Sequence, residues 1–114
     1  MTRIANYMPD LNYDGPSAGV EICQFQLKNN CSEDALLVLM EKIKTDFLLP
    51  QPGFMKHQTI PLENGEFIDI CISENLPCAT AISSKRLDHP LTLALLDMME
   101  PSSITLSFCN HEPL

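Results

Sequence analysis

The chain has 114 residues, 45% hydrophobic and 19% charged, and its 15 Asp and Glu against 7 Lys and Arg give a net charge of -8. That length fits one domain with a single core. The acidic balance argues against nucleic acid and anionic membrane surfaces as partners, since both are held through clustered Lys and Arg. No apolar run approaches the roughly 20 residues of a membrane span, and no basic leader precedes an apolar stretch, so the expected location is cytoplasmic.

Residues 1–18 carry scattered apolar side chains (Ile4, Tyr7, Met8, Leu11, Tyr13) between turn formers at Pro9, Asp14, Gly15 and Pro16, and read as an N-terminal arm ahead of a domain spanning 19–114. Residues 19–28 form the first predicted strand. Val20 and Ile22 alternate with Cys23, Phe25 and Leu27, so both faces are partly apolar and the strand belongs at the centre of a sheet. Ser32, followed by Glu33 and Asp34, is a helix N-cap with acids in the first turn. The helix over 33–48 repeats Leu36, Leu39, Met40, Ile43 and Phe47 at helical spacing, with Leu37 and Val38 widening that stripe, and Pro50 to Gly53 ends it.

Residues 51–75 read as a β-hairpin, with strands near 54–60 and 66–73 reversing at Asn64-Gly65, a pair suited to the positive φ of a type I′ turn. A two-residue loop pairs Glu63 with Glu66, Ile60 with Asp69, Gln58 with Cys71 and Lys56 with Ser73. Ile68, Ile70 and Ile72 are then assigned to the helix-covered face, and Phe67, Asp69, Cys71 and Ser73 to the other. A slip of one residue exchanges His57 for Gln58 on each face.

Asn75 caps a second helix that runs to about Leu87 with Pro77 in its first turn. After Asp88-His89-Pro90, with Asp88 read as the next cap, comes a helical piece over 91–99 that is apolar nearly all round, which implies burial against a second copy of the chain. The last strand covers 102–110, with Ile104, Leu106 and Phe108 on one face and Ser103, Thr105, Ser107 and Cys109 on the other. The order strand, helix, two strands, helix, strand is the ferredoxin-like split βαβ pattern of an α+β fold, a four-stranded antiparallel sheet with its helices on one face. Two such sheets face to face close into a dimeric barrel.

These punctuation marks, from Glu21 to Lys28 into the Ser-Glu-Asp helix start, then Gln-Pro-Gly-Phe at 51–54 and Asn64-Gly65 with Phe67 to Glu74, resemble the dimeric α+β barrel superfamily. Within it, the chain is similar to antibiotic-biosynthesis-monooxygenase-like and stress-responsive barrel proteins. The resemblance covers about residues 19–110 and implies a homodimer whose interior takes a small organic molecule, with oxygenase chemistry that needs no cofactor. Haem-degrading relatives carry a tryptophan after the third strand, a strand asparagine and a helix histidine. This chain has no tryptophan, offers Gln24 and Gln26 on its first strand, and has only His89 near the place of an axial ligand.

In such a barrel the face away from the helices lines the interior. It would present Gln24, Gln26, Gln58, Thr105 and Ser107, with Phe67 and Cys71, as substrate-binding candidates, and His111 beside them. The same residues would also serve as interface groups hydrogen-bonded across a dimer. Asp69, set between Ile68 and Ile70, is the sharpest catalytic candidate, since a buried carboxylate without a cation is pushed toward a general base. Lys56 or an arginine pairing with it is the structural alternative, and His57 is the other candidate base. Five cysteines without a Cys-x-x-Cys spacing suggest buried apolar thiols rather than disulfides or zinc. Neither a phosphate-cradling glycine loop, a nucleophile elbow nor a His-Glu-x-x-His site is present, and no metal site is expected.

Overall fold

A computed structural model describes residues 17–111, with only the backbone of His111. The expected N-terminal arm lies outside the described residues except for positions 17 and 18. Four strands, β1 (Ala18–Gln26), β2 (Phe54–Pro61), β3 (Glu66–Ser73) and β4 (Thr105–His111), form one antiparallel sheet in the order β2-β3-β1-β4. Helix α1 (Glu33–Ile43) links β1 to β2; α2 (Leu76–Arg86) and α3 (Pro90–Asp97) link β3 to β4. This is the ferredoxin-like α+β fold that the element order implies.

The helix starts follow their caps. Ser32 Oγ accepts from Ala35 N at 3.1 Å, and Asn75 Oδ1 accepts from Cys78 N at 2.8 Å. For α3 the cap is His89 rather than Asp88: its Nδ1 accepts from Leu91 N at 3.2 Å, and its ring meets Phe47 edge-on with centroids 4.9 Å apart. Proline follows at the first helical position, where no N–H is missed. Leu36, Met40, Ile43 and Phe47 form the buried stripe of α1, which continues as a π-helical turn over Lys44–Leu48. Leu37 and Val38 do not widen it; they are 41% and 70% exposed.

Between helices and sheet, Leu36, Met40, Ile43, Phe47 and Leu48 pack with Phe25, Phe67, Cys71, Ile82, Leu95 and Met99. Phe25 and Phe67 are cross-strand partners with stacked rings 5.7 Å apart. Each such side chain contributes about 1.5–3 kcal/mol on burial. A second cluster, Ala18, Val20, Ile70 and Ile72, with Ile22, Ile60 and Ile68 against it, lies on the opposite face. The expected assignment of faces is therefore reversed on β3: Phe67, Asp69, Cys71 and Ser73 lie under the helices, and the three isoleucines point away. Gly19 sits beneath the start of α2, where a Cβ would run into the Asn75 carbonyl.

The hairpin register also differs by one residue from that of a simple two-residue loop. Asn64 (φ 59°) and Gly65 (φ 77°) take the positive φ expected of them. Leu62 N, however, donates to Glu66 O at 2.7 Å while Glu66 N donates to Glu63 O, so two residues of the first arm stand opposite one of the second. The extra residue sets Ile60 opposite Ile68, Thr59 opposite Asp69 and His57 opposite Cys71. His57 and Thr59 thereby join Asp69 on the helix side.

Candidate functional site

The helix face of the sheet carries three ionisable groups that would be costly to bury alone, and each has an answer. Asp69, at the middle of β3, is 3% exposed. Its Oδ1 lies 2.7 Å from His57 Nε2 and accepts from Thr59 Oγ1 at 2.8 Å, both donors coming from β2. The side chains of His57 and Asp69 are each 4% exposed. One strand over, Glu21 on β1 meets Arg86, the last residue of α2, with Oε1 and Nη1 3.1 Å apart. A buried pair of this kind offsets desolvation only while both partners are present.

A cavity of about 130 Å³ lies between the sheet and helices α2 and α3. Its floor is Glu21, Cys23 and Asp69; Ser83 and Arg86 come from α2, Thr92 and Leu95 from α3, and Leu106 from β4. The walls are mostly apolar and the rim is made of Leu87, Leu96 and Leu106, all exposed. That volume is a little below the roughly 150 Å³ of an apolar cavity that holds benzene. Among the described residues both hydrogen bonds to Asp69 arrive at Oδ1, which leaves the other oxygen for whatever enters.

The same surroundings silence the nearby thiols. Burial pushes the Cys23 thiol up to about 11, with the Asp69 and Glu21 charges adding to it and Arg86 opposing. Burial likewise pushes Cys71 up to about 12, with Glu21 adding. Both remain protonated at neutral pH and are poor nucleophiles. Among the described residues no cluster of His, Cys, Asp and Glu could hold a metal ion, and no helix is long and apolar enough to cross a membrane.

The structure thus divides the candidates read from the sequence. Asp69 and His57 come into contact, through the one-residue slip, and Phe67 and Cys71 lie on their face within the core. Gln24, Gln26, Gln58, Thr105 and Ser107 lie on the opposite face, because their cross-strand partners alternate with those of Asp69. There Gln24 Nε2 donates to Glu66 Oε1 at 3.3 Å and Gln26 Nε2 donates to the Asn64 carbonyl at 2.7 Å, beside a notch that also takes in Ser103 and Thr105. Lys56 lies on that face too; the side chains against Asp69 are those of His57 and Thr59. Thr59, Glu21, Arg86, Ser83 and Thr92 were not legible as site residues. The available signal was a charged residue in each of the two central strands, Glu21 and Asp69, both set among apolar neighbours and both requiring partners.

No protein-family model matches the sequence, and no curated protein matches it. Solved structures do. A mutant form of SnoaB, a cofactor-independent oxygenase from Streptomyces nogalater, superposes with a TM-score of 0.66 at 12% identity, covering 81% of this chain and 90% of that one. A NIPSNAP family protein of unknown function from Agrobacterium tumefaciens gives 0.57 at 16% identity, over 90% and 96% of the two chains. A Nitrosomonas europaea protein provisionally assigned as an antibiotic biosynthesis monooxygenase gives 0.53 at 14% identity, over 90% and 95%. The structural neighbours are ferredoxin-like α+β barrel proteins of the antibiotic-biosynthesis-monooxygenase-like kind. At these identities the likeness establishes the fold.

Proposed function

We propose that the protein is a cofactor-independent oxygenase acting on a small, largely apolar ring compound that enters the cavity between the sheet and helices α2 and α3. The observation that carries this reading is Asp69: a carboxylate at the floor of an apolar cavity, held at one oxygen by His57 and Thr59, with its other oxygen left to a ligand. Such a group suits general-base removal of a proton from an acidic C–H or O–H. With a CH₂ flanked by an electron-withdrawing ring, Asp69 takes one proton, the carbanion adds O₂, and loss of the second proton with cleavage of the O–O bond yields a carbonyl and water. The electrons come from the substrate, so no external reductant is needed. Ser83, Thr92 and Arg86 are the polar groups available to orient a ligand oxygen. The oxygenase named among the structural neighbours supports the reaction class by fold analogy.

The protein is further read as a cytoplasmic homodimer. In the single chain only Leu95 of α3 is buried, whereas Leu93 and Leu96 are 50% and 42% exposed, with Leu106 and Phe108 of edge strand β4 also open. Gln24, Gln26, Gln58, Thr105 and Ser107 then face the space between two sheets rather than the substrate.

Oxygen consumption is measured over a panel of hydroquinones and ring-activated CH₂ compounds, with Asp69→Asn alongside. Uptake above the blank that falls about 10²-fold or more in Asp69→Asn supports the reading. A flat trace across the panel, with the same compounds bound in a thermal-shift assay, favours a non-catalytic ligand-binding module in the same cavity.

A further inference from the structure

The His57 and Asp69 pair stands between two separate openings. Asp69 lines the apolar cavity under α2 and α3, whereas His57 and Thr59 line a different crevice of about 220 Å³, walled by Leu37, Met40, Glu41 and Lys44 at the end of α1. The wider π-helical turn begins at Lys44, on the wall of that crevice. The imidazole is engaged at one nitrogen: Nε2 meets Asp69 Oδ1 at 2.7 Å, and Nδ1 has no hydrogen bond to a described residue. His57 itself lines that crevice, which is the side from which water would meet the ring.

We propose that His57 is a proton relay, connecting Asp69 to water through the α1 crevice and not through the ligand cavity. This rests on the reading of Asp69 as the base. In one direction Nδ1 takes a proton from hydronium in the crevice, leaving water, while Nε2 passes its own to Asp69 Oδ1. The imidazole ends neutral in its other tautomer, and the carboxylate becomes a carboxylic acid. In the other direction, a carboxyl protonated by a ligand turns that proton toward Nε2 of the Nδ1–H tautomer, Nε2 takes it, and Nδ1 releases its own proton to crevice water as hydronium. No electron moves, and water or its hydronium is the only co-reactant. A ring seated in the cavity would close Asp69 off from water on that side, and the second opening keeps it in exchange. Glu41 and Lys44 face the crevice from α1, Asp69 meets the ring from β3, and Glu21 and Arg86 belong to the cavity beyond it.

The relay is tested first on the free protein, by the NMR solvent-exchange rate of the His57 ring N–H in the ¹⁵N-labelled chain. Glu41→Trp and, independently, Leu37→Trp replace exposed residues of α1 to fill the crevice; Leu96→Trp fills the cavity rim as the control. We expect either crevice variant to slow exchange roughly ten-fold and the control to change it less than about two-fold. An unchanged rate in both crevice variants, or equal slowing in the control, overturns the relay. Where turnover is found, His57→Gln keeps an amide donor on Asp69 but cannot pass a proton. It should lose about 10²-fold in kcat with KM held, and added imidazole should restore part of it; an unchanged kcat overturns the relay. The exchange result needs no substrate and stands if oxygenation fails, while a failed relay leaves the Asp69→Asn loss intact.

Discussion

Under the helices, the sheet sets Glu21 against Arg86 and Asp69 against His57 and Thr59, among Phe25, Phe67 and Cys71. On the other face of the same strands, Val20, Ile22, Ile68, Ile70 and Ile72 form a branched aliphatic surface. The side away from the helices is thus aliphatic, and the buried charged residues of the two central strands lie on the helix side, where α2 answers Glu21 and β2 answers Asp69. The helix side supplies Arg86 from α2, and there a cavity reaches both Glu21 and Asp69. The comparison teaches that side-chain chemistry follows partners available in three dimensions, not apolar content along one strand.

The comparison is broken most severely by separating a charge from its partner. Glu21→Ala leaves the Arg86 guanidinium buried and unpaired and should cost about 3–5 kcal/mol in urea unfolding, whereas the double change Glu21→Leu with Arg86→Met should recover most of that loss. The aliphatic face responds to lost volume instead: Ile70→Ala should cost about 2–4 kcal/mol. Thr59→Val removes a hydroxyl donor from Asp69 and should cost about 1.5–3 kcal/mol, read in the same assay.

The two thiols sharpen the contrast through pH. Their folded values are raised by burial to about 11 and about 12 from 9.0, so the folded state binds their protons more tightly than the unfolded chain does. Their contribution is fully present below pH 9 and is lost as pH rises through 11 to 12. Thermal unfolding should therefore weaken from pH 9 upward by about 1 kcal/mol per thiol by pH 10, and Cys23→Ala with Cys71→Ala should flatten that slope. The smallest effect is at Ser73, whose hydroxyl is buried without a partner among the described residues. Ser73→Ala should be neutral or stabilising by up to about 1 kcal/mol, and a clear loss of stability would show that the hydroxyl is satisfied.

Much of the fold was legible residue by residue. Ser32 and Asn75 announced their helices, Pro50 to Gly53 ended the first, and Asn64-Gly65 made the reversal with the expected backbone signs. Phe67 to Ser73 was legible as a strand but not as a strand of known orientation, because Phe67 and Cys71 on one side balance Ile68, Ile70 and Ile72 on the other. The bulge at Leu62 and Glu63 left no mark in composition, yet it decides whether His57 or Gln58 stands beside Asp69.

The sequence by itself determined the element order, the helix caps, the turn and hence the ferredoxin-like arrangement, because those depend on local backbone preferences and on periodicities of two and 3.6 residues. Tertiary structure alone decided the register, the covered face and the partners of Asp69 and Glu21. Those depend on where the helices land and on one unpaired residue in a hairpin, which a period-two pattern with apolar residues on both sides does not encode.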